Sequence, residues 1–152
     1  MKKTAVLAAI LKTLEEELKM LTRGARASYA AATDPDSKAE NKYDTRTLEA
    51  SYVARGQAQR VAEVQQAVHL YQNLAQDPKA QDEVRPGSLV TLNGENHYFV
   101  GPAAGGTEIV VDGQEILVIT PASPLGAKLM GKKVGETAGL GQSRTFRITA
   151  IA

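Results

Sequence analysis

Leucines near the N-terminus recur at alternating intervals of four and three residues, and this spacing restricts the fold more than any other feature. The repeat consists of Leu7, Leu11, Leu14, Leu18 and Leu21, and small residues at 25 and 28 continue its frame. Such intervals place side chains on one stripe of an α-helix, as in the packing seam of a coiled coil. The repeat therefore predicts a long helix that packs against a second helix.

A second seam of the same period follows after a break. It runs from Ala50 to Ala75 and includes Val61, Val64 and Val68. Between the two seams the chain reads Thr-Asp-Pro-Asp-Ser, and a proline in such a polar run ends a helix. Two helices with one interruption predict an antiparallel helical hairpin, an arm of about 40–45 Å at 1.5 Å per residue.

Glycine and proline divide the chain into two halves. Residues 1–80 contain two of each, whereas residues 81–152 contain eleven glycines and four prolines and are rich in Val, Ile and Thr, which favour strands. Asn93-Gly94 and Asp112-Gly113 each separate two apolar runs and predict β-hairpins, because these residue types tolerate positive φ. The run 116–119 is apolar on both faces, which favours an interior strand.

A short helix is predicted after these strands. Ser123 can cap it, Pro124 can occupy its first position and Gly131 can end it. Residues 145–151 then alternate, which predicts Phe146, Ile148 and Ala150 on one face of a last strand. The chain is therefore predicted to be an α+β protein. A helical hairpin over residues 1–77, with a polar tip near 33–49, precedes a small antiparallel β domain of five or six strands over 81–152.

Composition excludes several kinds of site. There is no cysteine, which removes disulfides and thiol catalysis, and two distant histidines cannot form a multi-histidine zinc site. The 18 basic and 17 acidic residues leave a net charge of +1, which disfavours a general DNA-coating protein. No run approaches the roughly 18 apolar residues of a membrane span. The expected location is the cytoplasm.

Carboxylates are concentrated between the two seams. Asp34, Asp36, Glu40, Asp44 and Glu49 fall within sixteen residues and alternate with basic side chains. Two carboxylates with waters can share Mg²⁺, which prefers oxygen ligands. Such a site is incomplete alone and needs a metal or phosphate on the structure that the arm enters. A solvated turn of mixed charge is the other interpretation. Tyr52 is expected to pack within the hairpin.

The segment from Ile119 to Glu136 resembles the Gre transcript-cleavage factors, whose pattern is S-P-[LI]-[GA]-x-x-[LI]-[ILM]-G-K-x-x-G-[DE]. The matching residues are Ser123, Pro124, Leu125, Gly126, Leu129, Met130, Gly131, Lys132, Gly135 and Glu136. In architecture the resemblance covers the whole chain, and in sequence it is strong over about 117–137. It implies a coiled-coil hairpin followed by an FKBP-like domain.

The resemblance also implies a partner and a role. Gre factors dock their C-terminal domain at the secondary channel of RNA polymerase, and acidic residues at the coiled-coil tip help to hold the second catalytic Mg²⁺ for cleavage of backtracked RNA. The expected docking residues here are Ser123, Pro124, Leu125, Gly126, Lys128, Gly131, Lys132 and Lys133. The protein is then a monomeric cofactor that touches nascent RNA indirectly, binds no metal alone and catalyses nothing itself.

The tip departs from the Gre pattern D-x-x-E-N-A-E-Y. Aligned on Glu-Asn and Tyr, Asp36 and Glu40 lie four residues apart instead of three. A second alignment makes Asp44 and Glu49 the nearest acidic residues. We expect Asp36, Glu40 and Asp44 to act at the active centre, the first two as Mg²⁺ ligands. The expected further tip contacts are Asn41, Lys42, Tyr43, Arg46 and Glu49.

Three other functions are compatible with the sequence to different degrees. Some relatives of the Gre factors enter the channel and inhibit or modulate transcription, and this chain, with its altered tip, looks similar to them at least as much as to the cleavage factors. A prolyl isomerase is disfavoured because the second half has few aromatic residues for the usual pocket. A regulator of the Rnk branch, which has a shorter coiled coil, is disfavoured by the two long seams.

Overall fold

A computed structural model of the 152-residue chain describes residues 1–33, 46–141 and 144–152. Two long helices come first, α1 (Lys3–Thr33) and α2 (Arg46–Gln76). Each has 31 residues and is therefore about 46 Å long at 1.5 Å per residue. Both predicted helices are confirmed, and the described part of α1 reaches Thr33, the first residue of the predicted break.

Contacts along the chain divide it into two units, residues 14–66 and residues 1–13 with 67–152. The second unit contains the whole sheet together with the N-terminal end of α1 and the C-terminal end of α2. The domain boundary predicted between residues 77 and 81 marks the change from helix to strand and stays a prediction.

The helices run antiparallel within residues 14–66. The guanidinium of Arg60 donates to Glu17 Oε1 at 2.7 Å, and a Cβ at Gly24 would lie 3.6 Å from Gln57 Nε2. Residue numbers thus increase along α1 while those of the contacting residues decrease along α2, as in two antiparallel helices, which confirms the hairpin. In this unit, Leu14 and Val64 are the buried apolar residues among those described, and the seam residues nearer the break are partly exposed.

The helix ends that belong to the other unit bury a wider stripe. The seam predicts Leu7, Val68 and Tyr71, and all three are buried. Val6, Ile10 and Ala67 are buried as well, although they lie beside the predicted seam, and Ala75 is exposed. Since the stripe is wider than a two-helix contact needs, these helix ends belong to the core of a larger unit.

Tyr71 connects α2 with the sheet of its own unit. The fully buried phenol donates a hydrogen bond to the carbonyl of Ala103 at 2.8 Å, and its ring centroid lies 6.0 Å from that of Phe99. A Cβ at Gly101 would lie 1.8 Å from the Tyr71 hydroxyl, so only glycine permits this approach. Burial raises the pKa of Tyr71.

Six strands and one short helix form the rest of this unit. They are β1 (Leu89–Leu92), β2 (Asn96–Val100), β3 (Glu108–Val111), β4 (Gln114–Ile119), α3 (Pro124–Leu129), β5 (Thr137–Leu140) and β6 (Arg144–Ile151). The sheet order is β3-β4-β2-β1-β6-β5. The predicted architecture, a helical hairpin followed by a small sheet with one helix, is confirmed. β4 is an interior strand, as predicted.

One pair of neighbouring strands is parallel, in an otherwise antiparallel sheet. β2 pairs with β4 in parallel, and β3 lies outside β4 at the edge. The chain leaves β2, forms β3, and returns through the Asp112-Gly113 turn as β4, between β3 and β2. Both predicted hairpin turns are confirmed, since Asn93, Gly94, Asp112 and Gly113 have φ of 54°, 73°, 52° and 75°.

A bulge in β6 changes the predicted face of its last residues. Leu92 pairs with Ile148, but Thr91 pairs with Ala150, so Thr149 is an extra residue on β6. Beyond the bulge the side chains exchange faces. Ile151 therefore packs on the core and Ala150 is exposed, so the prediction that Ala150 joins Ile148 was wrong.

Both faces of the sheet are buried, and one cluster of core residues lies on the face that α3 covers. Its buried members are Val84, Val90, Leu92, Val100, Ile119, Leu129, Ala138 and Ile148. Each fully buried valine, leucine or isoleucine among them contributes about 1.5–3 kcal/mol. Over the described part of the chain, no helix combines the length and apolar character that a membrane span requires.

Candidate functional site

The segment with the Gre-like pattern begins at a capped helix start. Ser123 Oγ accepts the backbone N–H of Gly126 at 3.1 Å and donates to the carbonyl of Thr120 at 2.7 Å. Pro124 follows in the first helical position, where a missing N–H costs nothing. The predicted cap and proline position are confirmed, and together they fix where α3 begins.

Gly126 and Leu129 join α3 to the sheet unit. A Cβ at Gly126 would lie 1.8 Å from the carbonyl oxygen of Thr120 and 2.8 Å from Ser123 Oγ, so no larger residue fits without movement of the backbone. Leu129 is fully buried in the sheet core. Both residues therefore serve the packing of α3, and a docking role for Gly126 stays a prediction.

The chain leaves α3 through two positions that also serve the fold. Gly131 has a φ of 77°, the left-handed conformation in which helices commonly end on glycine. Its N–H donates to the Val84 carbonyl at 2.8 Å, and the N–H of Val84 donates to the Lys132 carbonyl at 2.8 Å. This exchange ties the end of α3 to the segment that precedes β1.

A tight turn completes the patterned segment. The backbone N–H of Lys133 donates to Glu136 Oε2 at 2.6 Å, and the N–H of Glu136 donates to the Lys133 carbonyl at 3.1 Å. Gly135 has a φ of 93° and donates to the Ile148 carbonyl at 2.8 Å. The glycines and the glutamate of the pattern thus hold backbone geometry.

A smaller set of side chains on α3 and just after it is free to meet a partner. Pro124, Lys128 and Lys133 are exposed, and Leu125 and Lys132 are partly so. Val134 is 56% exposed although it is apolar. Sequence reasoning missed Val134, for which the only signal was an apolar residue between a lysine and a glycine. The result is a basic surface with apolar contacts, as binding to an acidic protein surface requires.

Most residues of the predicted tip lie outside the described part of the chain: Asp36, Glu40, Asn41, Lys42, Tyr43 and Asp44. Arg46 begins α2 and Glu49 is exposed in its first turn. Residues 1–33, 46–141 and 144–152 contain no group of three or more His, Asp or Glu side chains suited to a metal ion. The proposed Mg²⁺ ligands therefore stay a prediction.

Large exposed side chains are frequent on the described helices of residues 14–66. Met20, Tyr29, Tyr52 and Val53 are each more than half exposed. The guanidinium carbon of Arg55 lies 5.2 Å from the ring centroid of Tyr52, a cation–π contact at the surface. Tyr52 is thus not packed within the hairpin, and that prediction was wrong.

Comparison with known proteins adds a likeness to solved structures. Neither family models nor curated proteins match this chain. GreA factor homolog 1 (Gfh1) of Thermus thermophilus is 21% identical over 93% of this chain and 94% of that one, with a TM-score of 0.36. Gfh1 of Thermus aquaticus is 20% identical over 99% and 96%, with a TM-score of 0.35. A third structure, of the transcription factor Gfh1, is 22% identical over 94% and 93%, with a TM-score of 0.37.

The chain is thus similar over nearly its full length to Gfh1 proteins, one of which is named as a GreA factor homolog. The pattern from Ser123 to Glu136 resembles the same family. Identities and TM-scores this low do not transfer a function.

Proposed function

We propose that this chain is a Gre-like regulator of transcription elongation that binds bacterial RNA polymerase at its secondary channel. The exposed residues of α3 and of the turn after it dock at the rim of the channel, and the helical hairpin enters it. The protein then acts as a cofactor, and any bond cleavage takes place in the active centre of the polymerase.

The observation that carries the proposal is the patterned segment. Ten residues between Ser123 and Glu136 match at fixed spacing. Their places in the fold support the match, because the serine caps α3, Gly126 permits close packing and Gly131 adopts the left-handed conformation. A chance match of residue types has no reason to satisfy these separate geometric demands together.

In the first form of the proposal, the segment between α1 and α2 supplies carboxylates. Asp36 and Glu40 are the proposed ligands of a Mg²⁺ ion shared with the polymerase, with Asp44 nearby. Carboxylate oxygens suit Mg²⁺, and a second metal ion stabilises the attacking and leaving oxygens in phosphodiester hydrolysis. This chain's residues would hold the ion and orient water at the RNA 3′ end.

The alternative is a protein that occupies the channel without promoting cleavage. Asp36 and Glu40 are four residues apart, one more than in the Gre pattern, and the single Lys42 stands where the pattern has Ala-Glu, so its second glutamate has no counterpart. Either change weakens a two-carboxylate site. Such a protein would inhibit or modulate transcription by blocking access to the active centre.

A cleavage assay separates the two forms. RNA polymerase stalled in a backtracked complex is incubated with Mg²⁺, labelled RNA and either the wild-type protein or the triple variant D36A/E40A/D44A. Faster 3′ cleavage that the variant loses supports a cleavage factor. Binding without cleavage supports the inhibitor. Absence of binding to polymerase at low salt overturns the proposal.

A further inference from the structure

One part of the sheet face next to α3 is apolar and open. Strand pairing places Tyr98 beside Leu117 and Val110 beside Glu115 on this face. Tyr98 and Leu117 are only partly covered, and Val110 at the edge strand is 64% exposed. We call these three residues the open face. Exposed apolar groups that form a patch mark places where proteins bind partners.

The rim of the open face is acidic. Glu108 and Glu115 point to the same side as Val110, and both are exposed. Neither forms an ion pair with any residue of the described chain. The Tyr98 hydroxyl likewise has no hydrogen-bond partner there. The face therefore offers apolar contact, two free carboxylates and a phenol.

The charge of the surrounding chain has one sign. Residues 86–127, which contain β1 to β4, have four acidic residues and no lysine or arginine. The rest of the chain has 18 basic and 13 acidic residues. A basic segment that approaches the open face thus meets no lysine or arginine of β1 to β4 that would repel it, whereas an acidic segment is repelled by the glutamates.

We infer that the open face binds a protein segment that carries lysine or arginine around one or two apolar side chains. On the proposed function, that segment belongs to RNA polymerase, and the contact adds to the docking by the exposed residues of α3 and of the turn after it. Charge complementarity sets the choice of partner and the rate of association, and the apolar centre supplies most of the contact area.

The test compares binding of full-length variants to core RNA polymerase. E108K/E115K reverses the rim charge, and V110S removes the apolar edge. The control D82K/E95K makes the same change of net charge at two exposed positions outside the face. We expect E108K/E115K to bind about tenfold more weakly, with a smaller loss for V110S and none for the control. Unchanged unfolding midpoints show that the variants fold.

Two results overturn the inference. If E108K/E115K binds polymerase as well as the wild type, the glutamates merely protect an edge strand, a task that lysine performs equally. If the wild type does not bind polymerase at all, the proposed function fails. A nuclear magnetic resonance titration with an amphipathic Lys/Leu peptide then decides whether the open face binds a basic segment. Shifts at Val110 and Leu117 that E108K/E115K removes support the inference, and their absence overturns it.

Discussion

At the scale of single residues, close approach and hydrogen bonding explain several choices that composition does not. Gly126 and Gly131 lie five residues apart in the patterned segment and are needed for different reasons. Gly126 has the Thr120 carbonyl where a Cβ would be, whereas Gly131 has open space around it and a positive φ. Steric overlap with backbone is harder to relieve than an unfavourable φ.

Gly126→Ala should therefore destabilise the protein by at least about 2 kcal/mol, because packed atoms must move to admit the methyl group. Gly131→Ala should cost about 1–2 kcal/mol, the usual penalty of the left-handed conformation. Urea unfolding monitored by circular dichroism measures both. A larger loss for G131A than for G126A would contradict the packing described for α3.

Tyr71 gives a dependence of stability on alkaline pH. Its pKa in the folded protein is raised above the ordinary 10.0, so its contribution is complete below pH 10 and is lost as pH rises further. Tyr71→Phe should lose about 0.5–1.5 kcal/mol near neutral pH, the value of its hydrogen bond. Above pH 10 the stability of wild type should fall more steeply than that of Y71F. Parallel curves between pH 8 and 11 would show that Tyr71 does not titrate in this way.

At the scale of elements, local chemistry predicted the ends of α3 and both hairpin turns, because a cap or a turn depends on a few adjacent residues. The parallel β2–β4 pair and the bulge at Thr149 were not predicted, since each depends on pairing between distant strands. The helical seams were predicted, but not the extra buried positions Val6 and Ile10. Those positions reflect a core outside the two helices.

The cap of α3 can be tested on its own. Ser123→Ala removes the acceptor for the Gly126 N–H and the donor to Thr120, and should cost about 1 kcal/mol. The melting temperature should fall by about 2–4 °C for a chain of this size. Ser123→Thr keeps the hydroxyl and serves as the control. Equal losses for the two variants would mean that something other than the cap matters there.

The hairpin contains a polar group that its packing leaves unsatisfied. Gln57 Oε1 is buried and accepts no hydrogen bond from the described residues. Gln57→Met keeps the length and helix propensity and removes this cost, so the variant should be more stable by about 1 kcal/mol. Gln59→Met, at an exposed position, should change little. Loss of stability in Q57M would show that the amide has a partner.

At the scale of the whole molecule, buried residues are distributed unevenly between the two units. Among the described residues of 14–66, Leu14 and Val64 are the buried apolar ones, whereas the other unit has a sheet core and buried helix ends. Cooperative stability follows buried apolar area, so the two units should open at different free energies.

Hydrogen exchange measures this difference directly. Amides of Val90, Val100 and Val118 should exchange only on global unfolding. Helical amides of residues 14–33 and 52–66 should exchange faster, by local opening. Mass spectrometry of peptides from exchanged protein would report both groups. Uniform protection across the chain would instead mean that the protein unfolds as one unit.

The sequence predicted where the candidate site lies in the chain, but not which of its residues are exposed in the folded molecule. The pattern from Ser123 to Glu136 located the segment, but it could not show that Gly126 and Leu129 are enclosed while Lys128 and Val134 are exposed. Exposure depends on which face of α3 meets the sheet, and that is a property of the folded unit. The tip residues, Asp36 to Asp44, rest on the sequence alone.

The geometry of α3 has a consequence for how such proteins diverge. Glycines, a capping serine and a buried leucine make up much of the pattern, so selection for a stable sheet unit alone is enough to retain it. The side chains that would choose a partner lie between them and are free to change. Proteins that keep the pattern can therefore differ in which partner they bind and in whether they activate or inhibit that partner. Inheritance of the scaffold and inheritance of the activity are separate matters.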